Sequence, residues 1–299
     1  MESLGSKISK ALIKRMHFKD LMSLEGEAFW EDVREQKMRK PIVLRPNIFR
    51  DLHMEEIDIG EYDVYRIYPE KDDAKKLIIY LHGGTFVYSI LPFHFNFIYD
   101  LLESTKIQAV VPLYPLLPEG TADMIHSRLI EVYESVLDSG IDPKDIIFMG
   151  DSSGGYLSLL AMHLYKKRNI PLPKQMVLIS PLLDLCSPPD GAEVFEEKDP
   201  FIAMGCREAL YKKLSEGRSV DDPLVSPRFG NFSDFPKTDI ISGTDDLLHL
   251  QAIKFYQEKK DEFDLKLHLY DDMIHNFPLI PTIEGLQARK FIKKLIIPD

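Results

Sequence analysis

Between residues 77 and 295 the chain alternates short, unbroken apolar runs with longer stretches of mixed character. The runs are LIIYL (77–81), IQAVVPLY (107–114), DIIFM (145–149), QMVLIS (175–180) and TDIIS (238–242). Runs with no polar alternation predict strands covered on both faces, because no position is left to meet water. DLKLHLY (264–270) does alternate, so an edge strand is expected there. EEIDIGEYDVYRIY (55–68) alternates too and carries a glycine midway, the pattern of two paired antiparallel strands. Helices are expected over 92–104, 121–138, 153–168, 248–262 and 282–295. Strand and helix in turn predict an α/β protein with a mostly parallel sheet and right-handed crossovers. Ligands of such sheets bind beyond the carboxyl ends of the strands.

Two segments fall outside this rhythm. Residues 182–236 are rich in Pro, Asp and Ser, with one helix-like piece near 200–216. So long a connection is seldom structureless in a compact domain. It is read as an inserted cap which, with residues 1–50, roofs the carboxyl end of the sheet; residues 1–299 then form a single domain. At the N-terminus, SLGSKISKALIKRMHFKDLMSL sets Ile8, Leu12 and Met16 at helical spacing among Lys7, Lys10, Lys14 and Lys19. The expectation is a helix laid over the protein's own hydrophobic surface. The other reading is a basic amphipathic helix making peripheral contact with a membrane.

Candidate chemistry begins at MGDSSGGYLSLL (149–160), which joins a strand to a helix through a turn of small residues. A G-x-S-x-G pattern in that context puts a serine hydroxyl at the tip of a strained turn, clear of the sheet. At such a tip the residues two before and two after come close together. With Ser152 as the nucleophile these are Gly150 and Gly154; with Ser153 they would be Asp151 and Gly155, and Asp151 would clash. Ser152 is therefore the candidate, and Ser153 opens the helix with an unpaired N–H aimed at the tip. One βαβ unit upstream, LIIYLHGGTFVY (77–88) runs from a buried strand into His-Gly-Gly. Backbone N–H groups there can stabilise the negative charge of an acyl-transfer intermediate, so Gly83, Gly84 and Ser153 are the candidate oxyanion donors. His82 is expected to brace the loop.

A serine needs a base, and the base an orienting acid, in the chain order Ser, Asp/Glu, His. YDDMIHNF (270–277) follows the last strand and supplies His275, whereas His268 lies inside that strand. GTDDLLHL (243–250) follows TDIIS and offers Asp245 and Asp246; Asp246, further from the strand, is favoured.

Composition narrows the partners. A formal net charge of −11 lacks the basic footprint that nucleic acid requires. Two cysteines, Cys186 and Cys206, make neither a disulfide framework nor a zinc site, and read as reduced structural thiols. No metal is expected. No run approaches the ~18–20 apolar residues of a membrane span, and the N-terminus lacks the apolar core of a signal peptide, so a cytoplasmic protein is expected.

Taken together, HGGT (82–85), GDSSGG (150–155), SGTDD (242–246) and IHNF (274–277) resemble the hormone-sensitive-lipase-like branch of the α/β-hydrolases. PLYPLLPE (112–119), SPLLDL (180–185) and DPLVSP (222–227) fall where that branch has related segments, and the likeness covers about 77–290. The resemblance implies an α/β-hydrolase fold with a helical cap, no cofactor, and carboxylesterase activity on short to medium acyl chains. It implies Ser152, Asp246 and His275 as the triad, with Gly83, Gly84 and Ser153 as the oxyanion hole. Thr85 stands where the family usually has a third glycine, Leu250 where its acid loop often has a second Asp, and Pro115 where an Arg is familiar. The last departure is similar to the branch that deacetylates bulky alcohols. The expected partner is a small-molecule ester, and homodimers are compatible with the family. The rivals are an amidase or peptidase on the same triad and a non-catalytic small-molecule receptor.

Overall fold

The apolar runs form the middle of an eight-stranded sheet with the order β1-β2-β4-β3-β5-β6-β7-β8. Its strands are β1 (Leu52–Ile57), β2 (Val64–Pro69), β3 (Leu77–Leu81), β4 (Gln108–Pro112), β5 (Ile146–Asp151), β6 (Gln175–Ile179), β7 (Lys237–Gly243) and β8 (Leu265–Tyr270). β1 pairs with β2 and β2 with β4 in antiparallel fashion; every other pairing is parallel. The computed structural model describes residues 2–15, 18–37, 51–69, 75–103, 105, 107–185 and 191–297. Met16, Cys186 and residues 38–50 of the expected cap lie outside the described residues.

Burial explains the two kinds of strand. β3, β4, β5 and β6 are buried at every position, whereas β8 keeps exposed residues as an edge strand does. Alternate residues of β3 serve opposite faces: Leu77, Ile79 and Leu81 join one core cluster, Ile78 and Tyr80 the other. The first cluster takes in α5 (Ala122–Asp138), α6 (Ser153–Arg168) and α9 (His249–Lys259); the second takes in α4 (Pro92–Glu103) and α10 (Ile283–Ile296). α6 is buried from Ser153 through Tyr165, which accounts for its lack of any polar stripe. α5 starts at Thr121, whose side chain accepts the Met124 N–H at 3.2 Å.

The irregular segments hold more helix than their sequence suggests. The N-terminal part forms α1 (Leu4–Arg15), α2 (Phe18–Met22) and α3 (Gly26–Lys37). The insertion forms α7 (Ala192–Lys198) and α8 (Arg207–Ser215), two helices where one was expected. α7 is only seven residues long, too short to show a periodic pattern. The two segments meet: the Cys206 N–H donates to Met22 O at 2.9 Å, and Gly205 lies so close to Ser23 that a Cβ would stand 2.4 Å from its carbonyl oxygen. Burial pushes the Cys206 thiol up to about 12, so it stays protonated. α1 departs from expectation in its orientation. Ser6 and Ile13 face the core, while Ile8 and Leu12 of the apolar stripe face solvent.

Candidate active site

β5 ends at Asp151, and the next residue, Ser152, adopts φ 53°, ψ −120°, a conformation few non-glycine residues take. A Cβ on Gly150 would stand 2.4 Å from Gly154 O, and one on Gly154 only 1.9 Å from Leu81 O. Both positions must therefore be bare: Gly150 for the steric reason that singled out Ser152 in the sequence, Gly154 because the end of β3 packs against it. The tip is pinned from below: the Ser152 N–H donates to Ile179 O at 2.9 Å, and the Leu182 N–H donates to Ser152 O at 3.0 Å.

Two loops further along the sheet face each other. His275 Nδ1 lies 3.0 Å from Asp246 Oδ1, and both side chains are buried. The carboxylate also accepts the Leu248 N–H at 2.9 Å and the Ser242 hydroxyl at 3.3 Å. Burial alone would lift the Asp246 pKa, but the adjacent His275, by charge and hydrogen bond, holds it below its usual value. For His275 burial pulls downward, yet Asp246, with help from Asp199 and Asp151, leaves its pKa raised. An ionised Asp246 keeps a proton on Nδ1 and leaves Nε2 as the basic nitrogen. Asp245 points elsewhere, pairing with Lys10 at 2.9 Å. His268 bonds Asp239 at 2.8 Å, a structural role, as its place inside the strand suggests.

Asp151, unnoticed in the sequence beyond its bulk, joins these parts. Its buried carboxylate accepts the Tyr80 hydroxyl at 2.6 Å, the Gly83 N–H at 3.0 Å and Asn276 Nδ2 at 2.7 Å. His94 Nε2 lies 3.4 Å away; its Nδ1 accepts the Leu91 N–H, which places the ring proton on the side of Asp151. The residue before Ser152 thus holds the residue after His275.

The same contact corrects one candidate. The Gly83 N–H points at Asp151 and is not available to a substrate oxygen. Among the described residues, the N–H groups of Gly84, Thr85 and Ser153 meet no acceptor. His82 braces the loop as expected: Nδ1 lies 2.7 Å from Gly83 O, and its ring stacks on Tyr114 with centroids 4.4 Å apart. Burial, with the neighbouring His94, lowers its pKa to about 4, so it stays neutral.

Comparison with known proteins identifies the family of this chain. A family model described as "alpha/beta hydrolase fold" matches residues 78–279. The chain belongs to the α/β-hydrolase family. The hydrolase is 32% identical to an esterase of Acinetobacter venetianus over 209 residues, 69% of each chain. It is 25% identical to an acetyl-hydrolase of Streptomyces hygroscopicus over 198 residues, 66% of this chain and 65% of that one. A crystal structure from Staphylococcus aureus superposes with a TM-score of 0.86 at 26% identity, covering 96% of this hydrolase and 99% of that chain. These likenesses place it in the hormone-sensitive-lipase-like branch whose motifs it carries.

In this hydrolase Ser152 and Thr85 line a cavity of about 50 Å³ whose other walls include Met22 of α2 and Ile202, Met204 and Leu210 of the insertion. Thr85 Oγ1 lies 3.4 Å from Met22 Sδ, so the residue in place of a third glycine touches the N-terminal segment. Thr85 also holds φ 55°, a strained value for a β-branched residue.

A second buried carboxylate comes from the insertion. Asp199 accepts the Phe201 N–H at 2.8 Å and the Leu247 N–H at 2.9 Å, tying the insertion to the acid loop. One donor atom each of Asp199, Asp246 and His275 lie within 4.8 Å of one another. Such donors could converge on a metal ion, but the His275 Nδ1 is already committed to Asp246. Burial, then the charge of Asp246, pushes Asp199 up to about 6. No spacing in the sequence distinguishes Asp199 from the other acids of 182–236; even its turn-forming Asp-Pro recurs at Asp222-Pro223.

An ionised Asp199 favours the imidazolium of His275; with His275 as the proposed base, which must be neutral to act, activity should fall as pH drops through its raised pKa. Asp199→Asn removes that negative charge. The acid limb of kcat/KM should move to lower pH by about 0.5 to 1 unit. An unmoved limb in the pH–rate profile would show that Asp199 does not bear on the base.

Proposed function

We propose that this hydrolase is a serine carboxylesterase in which Ser152 is the nucleophile, His275 the base and Asp246 its orienting acid. It is a carboxylic ester hydrolase, as its esterase relatives are. The observation that carries the assignment of roles is the Asp246–His275 contact of 3.0 Å, tied through Asn276 and Asp151 to the strained Ser152.

Chemistry follows from the proton positions. Nε2 of His275 takes the hydroxyl proton as Ser152 Oγ bonds to the ester carbonyl carbon. The N–H groups of Gly84, Thr85 and Ser153 receive the carbonyl oxygen as it becomes negative. The carbon–alkoxide bond then breaks, His275 returns its proton to the departing alcohol, and an acyl-Ser152 remains. Water repeats the cycle: it loses a proton to His275, attacks the acyl carbon and releases the acid, and the proton returns to Ser152. Labelling of Ser152 by a fluorophosphonate, together with turnover of p-nitrophenyl esters well above that of matched anilides, is the expected outcome. Faster anilide cleavage would favour an amidase.

The cavity supports short acyl groups, acetyl and butyryl, with α2, α3 and the insertion acting as the cap. Thr85→Gly would remove the side chain that meets Met22. The ratio of kcat/KM for p-nitrophenyl hexanoate over acetate should rise about five- to tenfold, within what one or two methylenes are worth in a pocket. An unchanged ratio would place the length limit elsewhere.

A further inference from the structure

We propose that the outward faces of α1 and α10 form a docking surface for an anionic lipid bilayer. Leu4, Ile8 and Leu12 follow one another at four-residue spacing and all point to solvent, on the side of α1 opposite the buried Ser6 and Ile13. α10 lies alongside: the Ser3 N–H and hydroxyl donate to the Glu284 carboxylate at 2.6 and 2.8 Å. Next to Glu284, Ile283 and Leu286 are also exposed. These five aliphatic side chains are between 43% and 73% exposed, and they make up half of the large hydrophobic residues exposed among the described ones.

Single exposed aliphatics need no explanation, but a row on two adjoining helices does. Nothing in folding rewards the arrangement. At 100° per residue Lys7 and Lys14 fall on one flank of the α1 stripe, and Arg15 falls within it. All three are exposed. α1 contains no acidic residue. On α10, Lys290 and Lys294 continue the exposed face that Ile283 and Leu286 begin. Of the nearby acids, Glu2 and Asp245 pair with Lys10, Glu284 accepts from Ser3, and Asp271 and Asp272 lie exposed on the loop whose carbonyl Lys10 also bonds. The exposed Lys7, Lys14, Arg15, Lys290 and Lys294 flank the aliphatic row on the two helices, in a chain of net charge −11, and complement an anionic headgroup layer over an apolar interior. A second copy of this chain would bring the same cations face to face. The surface is also near the chemistry, since Lys10 of α1 bonds Asp245 Oδ2 at 2.9 Å and Asp272 O at 2.6 Å, on the loops that carry Asp246 and His275.

The inference goes beyond the catalytic reading and does not depend on it. The test is co-sedimentation of the full-length protein with vesicles of ether-linked phospholipids, which esterases cannot cleave. Phosphatidylcholine alone is compared with a mixture holding about 30% phosphatidylglycerol. Binding to the anionic vesicles should exceed binding to the neutral ones at least about tenfold and should weaken in about 0.5 M salt. The triple variant Leu4→Ser/Ile8→Ser/Leu12→Ser and the double variant Lys7→Glu/Lys14→Glu should each lose at least about tenfold in partition, with p-nitrophenyl acetate turnover within about twofold of wild type. The proposal is overturned if wild type stays in the supernatant, if both variants sediment as it does, or if neutral vesicles bind equally. It is also overturned if light scattering finds a dimer that the triple variant dissolves while vesicles go unbound. Vesicle binding by a protein without esterase activity would count against the catalytic reading alone.

Discussion

Alanine at Ser152 should lower kcat/KM for p-nitrophenyl acetate by about 10⁴- to 10⁶-fold, the loss expected when a triad nucleophile is removed. Stability should hardly change, with Tm within about 2 °C of wild type, because the anchoring bonds of residue 152 run through its backbone N–H and carbonyl. Alanine at Ser153 is the discriminating control. It removes a hydroxyl and keeps the N–H proposed for the oxyanion hole, so activity should remain within about tenfold. Both serines are small, adjacent and buried or nearly so, Ser152 at 8% exposure and Ser153 at 1%. What separates them is the backbone: residue 152 takes the positive φ of the tip, and residue 153 begins a helix. Steady-state kinetics on the two variants decides the matter. Near-normal turnover in the Ser152 variant, or collapse in the Ser153 variant, would mean that the nucleophile has been placed on the wrong residue.

Alanine at Asp151 should be the most damaging change outside the proposed triad. It leaves the Tyr80 hydroxyl, the Gly83 N–H and the Asn276 amide without their shared acceptor. A buried donor left unpaired costs about 1–3 kcal/mol, so three of them predict a loss of several kcal/mol and a fall in Tm of about 10 °C or more. Kinetics should suffer as well, because Gly83 precedes the proposed oxyanion donors and Asn276 follows His275. Asparagine at 151 keeps one acceptor but turns an amide toward donors, so an intermediate loss is expected. Thermal unfolding of both variants, with kcat measured well below Tm, separates the two effects. If Asp151→Ala melts like wild type, the carboxylate is not the junction described. The junction should also weaken in acid. Burial opposes ionisation of Asp151, but His94 and its hydrogen bonds hold its pKa below the ordinary carboxylate value. Its stabilisation is therefore present above the unfolded pKa and is lost as pH falls through the lower folded one.

Features governed by a local rule could be read from the chain. Unbroken apolar runs reported strands covered on both faces, and alternation in 264–270 reported the edge. The choice of Ser152 rested on sterics within five residues, Gly150 to Gly154, and the structure shows the same contact between them. Asp246 and His275 followed from their places after successive strands, and their side chains meet.

Legible in the sequence, therefore, are the succession of sheet strands with the helices between them, the tight turn at Ser152 and the loops that carry Asp246 and His275. Each depends on residues close together in the chain, where backbone period and side-chain bulk act directly. The tertiary structure alone decided the rest. Gly83 lost its free N–H to a carboxylate 68 residues away, and Asp151 joined Asn276 across 125 residues. Asp199 came to lie beside His275 only because the insertion folds back onto the acid loop. α1 kept its helical period but turned its stripe outward. A period fixes which side chains share a face; which face is buried depends on what that helix packs against, and no local pattern contains that partner.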